Sequence, residues 1–448
     1  MCDSGRVTQR ALCVVAHGQV LHVDPQRGRV TIQAGARLEV ALKALKAHGW
    51  TLQNFSSIKE QQLGGWMQAG CHGTGASLPP VDETIVSMKL VTPAKGTLVV
   101  DATNNPELFR LARVGLGALG IVAEMTIQGV RAHTLGERTQ VMSTSQVAQG
   151  HAQRLQKHRH MRYMWLPYTD DVVVVTADPI EKCPSGVVTS TALEPEHKRT
   201  AALRALLRQH NDAAAADDHS LTFADLRDRL LALNPLSVAH VADVNKAEAE
   251  FWKASQGWRV GDSEDILGFE CGGEQWVSEV VFKTGTRRRP DGADLKFVQE
   301  TLDYVRRAGI PAHAPLEQRW SSGSSAPMSP AHTPGAEDPG DALHCWLGVI
   351  MYLPPSSGPG SDTSRRAAVD KAFAAYRAGW HSAVCARYDA ADHWAKIELP
   401  ATEAELIALR QRLRQRFPVE AFNRWRAELD PDNILGSELI DALMPRTR

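Results

Sequence analysis

The chain has 448 residues, of which 43% are hydrophobic and 23% charged, and its formal net charge is −1 at pH 7. This length favours two domains, and the composition is typical of globular proteins. The balanced charge argues against a dedicated nucleic-acid binder, and no apolar run reaches the length of a membrane span. Seven scattered cysteines without zinc-ligand spacing predict neither a disulfide framework nor a structural metal site.

Strands and short helices are predicted to alternate over about the first 130 residues. The patterns indicate strands at 20–23, 30–33, 85–91, 97–100 and 121–127, and helices at 38–45 and from Pro106.

The remainder of the chain has longer elements. A β-branched run predicts a central strand at 172–175, and the Ala-, Leu- and Arg-rich segment 194–233 is expected to be mostly helical. Thr402 and Glu405 form a capping-box pattern before an amphipathic helix that Pro418 ends. Low-complexity loops are expected at 287–294, 321–340 and 354–363.

The strongest indication of chemistry is segment 64–76, where five glycines surround His72 and Thr74. Glycine permits a close backbone approach, so we predict a loop pressed against a flat or phosphorylated cofactor. The pattern is neither a P-loop nor a dinucleotide fingerprint, and a structural turn remains the alternative. Cys71 would be the nucleophile of a thiol enzyme, but the sequence indicates no base for it.

A second glycine cluster occupies residues 115–120. It follows a helix and precedes a strand, the reverse of a dinucleotide-binding turn. We interpret it as a structural turn unless it lies against the same cofactor.

Two polar segments could contribute a charged site. Glu317 and Arg319 are two residues apart, so on a strand they point to one face, where the arginine could hold an anionic substrate or a developing enolate. A surface ion pair is the alternative. Residues 393–399 are predicted to form a strand with His393 and Lys396 on opposite faces. Both could serve one site only if that strand bends or ends there, and an exposed edge strand is the alternative.

Blocks of sequence at 52–62, 70–75, 82–96, 115–124, 268–273, 317–320 and 393–398 resemble a known group of proteins. They are similar to the aldonolactone-oxidase branch of the vanillyl-alcohol-oxidase-type flavoproteins, and within it to the L-galactono-1,4-lactone dehydrogenases. The similarity extends over nearly the whole chain from about residue 12. Blocks 52–55 and 393–396 are specific to the aldonolactone branch.

This resemblance implies an α+β fold with an FAD-binding domain at 1–130 and an aldonolactone-oxidase-type cap domain at 131–448. The C-terminal segment would return toward the flavin. Residues expected to contact the FAD, bound non-covalently, are Gly70, Cys71, Gly73, Gly75, Ile121 and His393. Residues expected to contact substrate are Thr74, Glu317, Arg319 and Lys396. Arg319 and Lys396 would stabilise a developing oxyanion, and Glu317 would orient Arg319 and the substrate hydroxyls.

The implied reaction is oxidation of L-galactono-1,4-lactone to L-ascorbate, the last step of vitamin C synthesis, with cytochrome c as electron acceptor. The resemblance further implies a mitochondrial location at the inner membrane or intermembrane space, and an association with assembly of respiratory complex I. A non-catalytic assembly protein and an oxygen-using aldonolactone oxidase are the alternatives. Ser56 occupies a position where the family's oxidases carry Gly and its dehydrogenases Ala. Because Ser is larger than Gly, we expect it to act as an oxygen gate, which favours a dehydrogenase.

The N-terminus departs from the family pattern. The family places a Gly/Ser-rich pyrophosphate-binding loop before the segment that matches 12–24, and residues 1–10 do not supply it. The targeting and membrane segments usual in the family are also missing. We therefore expect an FAD-binding domain that is incomplete at its N-terminus because the sequence is a fragment, with a degenerate paralogue as the alternative.

Overall fold

The computed structural model describes residues 18–269, 272–335, 339–356 and 362–446. The predictions about the N-terminal loop, Cys2 and Cys13 lie outside these residues, as do Glu270 and Cys271 of block 268–273. Parts of two predicted loops, 336–338 and 357–361, also lie outside them.

The first unit contains a small antiparallel sheet and three short helices. Its strands are β1 (Val20–Asp24), β2 (Arg29–Gln33), β3 (Trp50–Thr51), β4 (Ile85–Thr92), β5 (Gly96–Asp101), β6 (Ile121–Gln128) and β7 (Val130–Arg131). Its helices are α1 (Leu38–Lys46), α2 (Leu63–Gln68) and α3 (Pro106–Ala112). The sheet order is β1-β2-β6-β4-β5, and β3 pairs with β7. The strands and helices predicted in this region are therefore present.

Helix α2 corrects the prediction of a loop over 64–76, because Gly64 and Gly65 are helical and the loop begins only after Gln68. Leu63, Trp66 and Met67 of α2 are buried, which is the i, i+3, i+4 spacing of a helix packed on a core. That burial outweighs the cost of two helical glycines, about 1 kcal/mol each.

The second unit is built on an eight-stranded antiparallel sheet. Its strands are β8 (Thr134–Ser143), β9 (His160–Trp165), β10 (Asp171–Pro179), β11 (Gly257–Asp262), β12 (Gln275–Thr286), β13 (Leu316–Ser322), β14 (Ala342–Tyr352) and β15 (Ala391–Asp392). Their order is β11-β8-β10-β9-β13-β14-β12-β15. The predicted central strand at 172–175 lies in β10, between β8 and β9.

Helices pack on both faces of this sheet. They are α4 (Thr144–Lys157), α5 (Glu196–Arg199), α6 (Ala201–Gln209), α7 (Ala213–Asp217), α8 (Phe223–Leu233), α9 (Val238–Lys253), α10 (Ser263–Leu267), α11 (Ala293–Ala308) and α12 (Thr363–Ala383). Trp320 of β13 and Leu347 of β14 share a buried core with Phe297 of α11 and Trp380 of α12. On the opposite face, Ile350 and Tyr352 of β14 pack against α6, α8 and α9. The part of that face around Val281 and Trp346 looks toward the first unit, since these two residues belong to its core.

The chain ends with α13 (Glu403–Arg416), α14 (Val419–Leu429) and α15 (Glu438–Leu443), which pack on the first unit. The capping box of Thr402 and Glu405 starts α13 as predicted. Within the described part of the chain, no helix is both long and apolar enough to cross a membrane.

The predicted strand at 393–399 is wrong. Strand β15 stops at Asp392, and a tight turn follows in which Lys396 N donates to His393 O at 2.8 Å. The cause is tertiary: the ladder with β12 pairs only Ala391 and Asp392, just before this segment, and none of residues 393–399 lies in a strand. The turn removes the opposite-face constraint on His393 and Lys396.

Candidate active site

Strand register brings the charged residues together on the sheet face that looks toward the first unit. Glu279 of β12 pairs with Gly348 of β14, and Gly348 pairs on its other side with Glu317 of β13. In the next row, Arg319 lies between Trp346 and Arg162. Glu317 and Arg319 are two positions apart on β13, and such residues share a face of the sheet, as predicted.

Glu279 is the centre of the cluster. Its Oε1 accepts a hydrogen bond from Arg319 Nη2 at 2.6 Å and lies 3.2 Å from His72 Nε2, while its Oε2 accepts from Lys396 Nζ. Only 2% of its side chain is exposed. The backbone N–H of His393 donates to Glu279 O at 2.9 Å, which places the turn after β15 beside the same residue.

The second carboxylate, Glu317, lies at the more open end of the cluster. Its Oε2 is 3.5 Å from Arg319 Nε and its Oε1 is 3.6 Å from Arg162 Nη1. A quarter of its side chain is exposed, as is a quarter of the Lys396 side chain. The cluster is therefore partly open to solvent at Glu317 and Lys396, whereas Glu279 forms its buried end.

The charges of the cluster are fixed by mutual pairing. Burial disfavours the Glu279 carboxylate, but Lys396, Arg319 and His72 outweigh that cost and hold its pKa well below the ordinary value. Burial and the charge of Arg319 lower the pKa of His72 to about 4, and burial and Lys396 hold the pKa of His393 well below its usual range. Both imidazoles are therefore neutral at pH 7. Three cationic side chains face two carboxylates, which leaves one positive charge in excess.

His72, Glu279 and His393 offer possible metal-ligand atoms within 4.8 Å of one another. Both oxygens of Glu279 are, however, already engaged by Arg319 and Lys396. The two cations would repel a divalent ion, so the cluster is better explained as an ion-pair network.

The glycine-rich loop closes over this face. The His72 ring stacks on Trp346 with a centroid distance of 3.7 Å and an interplanar angle of 12°. Gly75 forms an isolated parallel β-bridge with Ser321. Thr74 Oγ1 lies 3.1 Å from His160 Nδ1 of β9. The first unit thus supplies His72 to the charged cluster of the second unit, whereas Thr74 contacts His160 beside it.

Gly73 and Gly75 are required by close approach. A Cβ at Gly73 would lie 1.9 Å from Asn54 Oδ1, and one at Gly75 would lie 2.4 Å from Arg159 O. Asn54 Oδ1 also accepts from Thr74 N at 3.0 Å. The loop therefore rests directly on the segment 52–57 that contains Ser56.

The other predicted residues have different surroundings. Ser56 donates to Gln61, and Ile121 opens β6 opposite Val91 in the first sheet. Cys71 is buried, and burial raises the pKa of its thiol to about 11. A thiol so hard to ionise is a poor nucleophile, which argues against the thiol-enzyme alternative.

The loop surroundings fit an acceptor-rich cofactor such as FAD. Asn54 Nδ2, Trp66 Nε1 and His160 Nε2 are buried without a hydrogen-bond partner among the described residues. Each belongs to the loop or to a residue that contacts it: Asn54 accepts from Thr74 N, Trp66 O accepts from Cys71 N at 3.2 Å, and His160 contacts Thr74. Buried polar atoms are normally satisfied. The N–H donors of Asn54 and Trp66 therefore indicate where a ligand's oxygens or nitrogens would be held, while His160 Nε2 is an acceptor because Nδ1 donates to Thr74 O.

Glu279 and Arg162 are site residues that the sequence reasoning did not select. The available signal for Glu279 was a single carboxylate followed directly by the apolar residues Val280 to Phe282 of a strand. A charge in that position is buried only when it is paired. Its partners lie 40 and 117 positions further along the chain, which no local pattern could reveal.

Comparison with known proteins also indicates an FAD-binding domain followed by a lactone-oxidase domain. Residues 5–101 match the family described as FAD binding domain, and residues 125–443 match the family described as D-arabinono-1,4-lactone oxidase. The mitochondrial L-galactono-1,4-lactone dehydrogenase of Arabidopsis thaliana is 45% identical over 95% of this chain and 70% of its own length. The mitochondrial L-galactono-1,4-lactone dehydrogenase 2 of Oryza sativa subsp. japonica is 46% identical over 96% of this chain and 73% of its own length.

The crystal structure of cholesterol oxidase from B. sterolicum superposes with a TM-score of 0.69 over 93% of this chain and 81% of that one. At 15% identity it shows the shared fold. The fold and the matched domains define an FAD-dependent oxidoreductase of the vanillyl-alcohol-oxidase type. More narrowly, the chain belongs to the D-arabinono-1,4-lactone oxidase family. The predictions of family, α+β fold and FAD as cofactor are confirmed.

Proposed function

We propose that this protein oxidises L-galactono-1,4-lactone to L-ascorbate and passes the electrons to cytochrome c. The observation that carries the proposal is the arrangement of Arg319 and Lys396 around Glu279, against the glycine-rich loop of an FAD-binding domain. The high identity to the plant L-galactono-1,4-lactone dehydrogenases supports this choice of substrate.

Bound FAD would supply a hydride acceptor for the alcohol carbon of the lactone. The hydroxyl proton would pass to water at the solvent-exposed end of the cluster. Negative charge then develops on the oxygen, and Arg319 and Lys396 provide fixed positive charge for it. Glu279 holds both cations in place before substrate arrives, so little reorganisation is needed during reaction. One such preorganised donor typically contributes about 10²–10³ in rate. The oxidised lactone then tautomerises to the enediol, ascorbate.

Glu317 is proposed to accept hydrogen bonds from lactone hydroxyls and to orient Arg319, because its carboxylate is within 3.5 Å of Arg319 Nε and is partly exposed. Thr74 is proposed to add a hydroxyl contact from the loop. His72 and His393 remain neutral, so they shape the site without adding charge.

For the cofactor we propose non-covalent FAD in backbone contact with Gly70, Cys71, Gly73 and Gly75. The buried donors Asn54 Nδ2 and Trp66 Nε1 beside the loop support this position. His393 and Ile121 are proposed as further contacts, and Ser56 as the gate that limits oxygen.

We further propose a domain division near residue 130, with the segment after β15 returning to the FAD-binding unit. The core that Leu413, Phe417 and Phe422 share with the first unit supports that return. The plant relatives are named mitochondrial, and we propose the same compartment here, at the inner membrane or intermembrane space. An association with complex I assembly is part of the same proposal.

The direct test is anaerobic mixing of the FAD-reconstituted protein with L-galactono-1,4-lactone in a stopped-flow spectrophotometer. We expect the flavin absorbance to bleach at a saturable rate and ascorbate to form in equal amount. Oxidised cytochrome c should then restore the flavin spectrum faster than air-saturated buffer does.

A folded chain that cannot be reconstituted with FAD would contradict the proposal and favour a non-catalytic assembly protein. Reoxidation by oxygen with stoichiometric peroxide, and none by cytochrome c, would instead identify an aldonolactone oxidase.

A further inference from the structure

Gly348 occupies an unusual position in the cap sheet. It is a β14 residue that pairs with Glu279 on one side and Glu317 on the other. Neighbouring strands lie about 4.8 Å apart, so the Cα atoms of the two glutamates are about 10 Å apart with Gly348 midway. A side chain at Gly348 would project between the two carboxylates, on the face that carries the site.

The neighbours of Gly348 on β14 show which face this is. Leu347 and Val349 belong to the core shared with α11 and α12, whereas Trp346, two positions away, stacks on His72 of the glycine-rich loop. The direction in which Gly348 lacks a side chain is therefore that of Trp346, toward the loop.

The space beside Gly348 is open although the residue itself is buried. A Cβ built on it would have Glu317 O as its nearest neighbour, at 3.9 Å. Gly73 and Gly75, by contrast, would clash with neighbouring atoms at 1.9 and 2.4 Å. Close packing and left-handed backbone therefore do not explain glycine at 348, since its φ is not positive.

Glycine in a strand interior weakens the sheet, so its presence in a central strand calls for a local cause. The Arg319 guanidinium pairs with both carboxylates, and none of its atoms lies within 4 Å of a Cβ built on Gly348. Carboxylates accept hydrogen bonds from hydroxyl groups, and the guanidinium adds donors for a ring oxygen or carbonyl.

We propose that Gly348 keeps open a space beside Glu317 and the Arg319 guanidinium for the hydroxyl-bearing carbons of a polyhydroxylated lactone. The inference rests on the proposed function and extends it by naming the residue that sets the size of the substrate site. Gly348 has no side chain to occupy the substrate site. It therefore determines specificity and takes no part in proton or hydride transfer.

The test is a series of Gly348→Ala and Gly348→Val, with Gly261→Ala as matched control. Gly261 lies in edge strand β11 of the same sheet, and a Cβ there would make an ordinary 3.6 Å contact with Ile266. Thermal unfolding and FAD content are measured first, followed by KM and kcat for L-galactono-1,4-lactone. Lactone binding to each FAD-free variant is measured by calorimetry.

We expect Gly348→Ala to unfold at or above the wild-type temperature and to retain FAD, because alanine suits a strand better than glycine. Its KM should rise about tenfold, as for one misplaced methyl group, with a smaller change in kcat. Gly348→Val should bind more weakly still, in calorimetry as in kinetics, and Gly261→Ala should match the wild type.

Wild-type bleaching by the lactone reports on the reaction independently of Gly348. If the wild type bleaches, the inference would be overturned by Gly348 variants whose KM and calorimetric affinity both stay within twofold of the wild-type values. A fall in FAD content or unfolding temperature for Gly348→Ala alone would also overturn it, since it would assign the glycine a packing role.

Discussion

Arg319 Nη2 donates to Oε1 of Glu279 at 2.6 Å, although the two residues come from strands separated by β14 and from positions 40 apart in the chain. The same carboxylate pairs with Lys396 from the turn after β15. One buried charge thus holds two cations from separate segments at a single point on the sheet.

Arg319→Ala should reduce kcat about 10²–10³-fold, because it removes a preorganised positive charge from the developing oxyanion. Arg319→Lys should recover little of that loss, since an ammonium cannot reproduce the planar fork that reaches Glu279 and Glu317 together. Stopped-flow flavin reduction measures both variants. Turnover close to wild type in Arg319→Ala would show that the residue has been misassigned.

Glu279→Gln should destabilise the protein by about 3–5 kcal/mol, because it leaves buried cations without their counter-charge. Glu274→Gln is the matched control: Glu274 precedes the same strand and pairs with Arg366, but 57% of its side chain is exposed. That control should change stability by about 1 kcal/mol at most. Urea unfolding gives both values, and equal losses would refute the central position of Glu279.

Gly73→Ala should abolish FAD retention, because the new methyl group would overlap Asn54 Oδ1 and displace the loop. Gly65→Ala changes a glycine in α2 of the same region, where a Cβ would meet no atom within 4 Å. It should keep FAD and gain up to about 1 kcal/mol from helix propensity. The ratio of flavin to protein absorbance in the purified variants distinguishes these outcomes.

Ser56→Gly should increase peroxide release during turnover if Ser56 restricts oxygen. Ser57→Gly removes the same atoms one residue away and should leave the rate unchanged. A coupled peroxidase assay under air measures the rate, with cytochrome c reduction recorded in parallel. Identical peroxide rates in Ser56→Gly and the wild type would rule out the gate.

The free energy of unfolding should fall as the pH falls from about 6.5 to about 4. Burial lowers the pKa of His72 to about 4, so the unfolded chain binds a proton in this interval that the folded chain does not. This one group accounts for up to about 3 kcal/mol, and His160, His313 and His344, whose pKa values are also lowered to between about 3 and 4, act in the same direction.

Chemical denaturation at several pH values measures this slope. His72→Gln should flatten it, whereas a substitution of exposed His48 should not. An unchanged slope in His72→Gln would contradict the assignment of a neutral buried imidazole.

The sequence alone determined the family, the cofactor and much of the local structure. Strands 20–24 and 29–33, helix α3 at Pro106 and the capping box of α13 follow from short-range patterns, and the Glu317–Arg319 spacing correctly predicted one shared face. These features depend on residues within a few positions of one another, which periodicity and capping rules describe.

The tertiary structure decided what those rules cannot reach. Helix α2 forms despite two glycines because Trp66 and Met67 pack into a core. The strand predicted at 393–399 is absent because pairing with β12 ends at Asp392, before the segment begins. Strand register determines that Glu279 lies at the centre of the site. It also determines that Gly348 leaves open space beside it. Register is set by pairing between distant segments, so the residues that complete the site become visible only once the sheet is assembled.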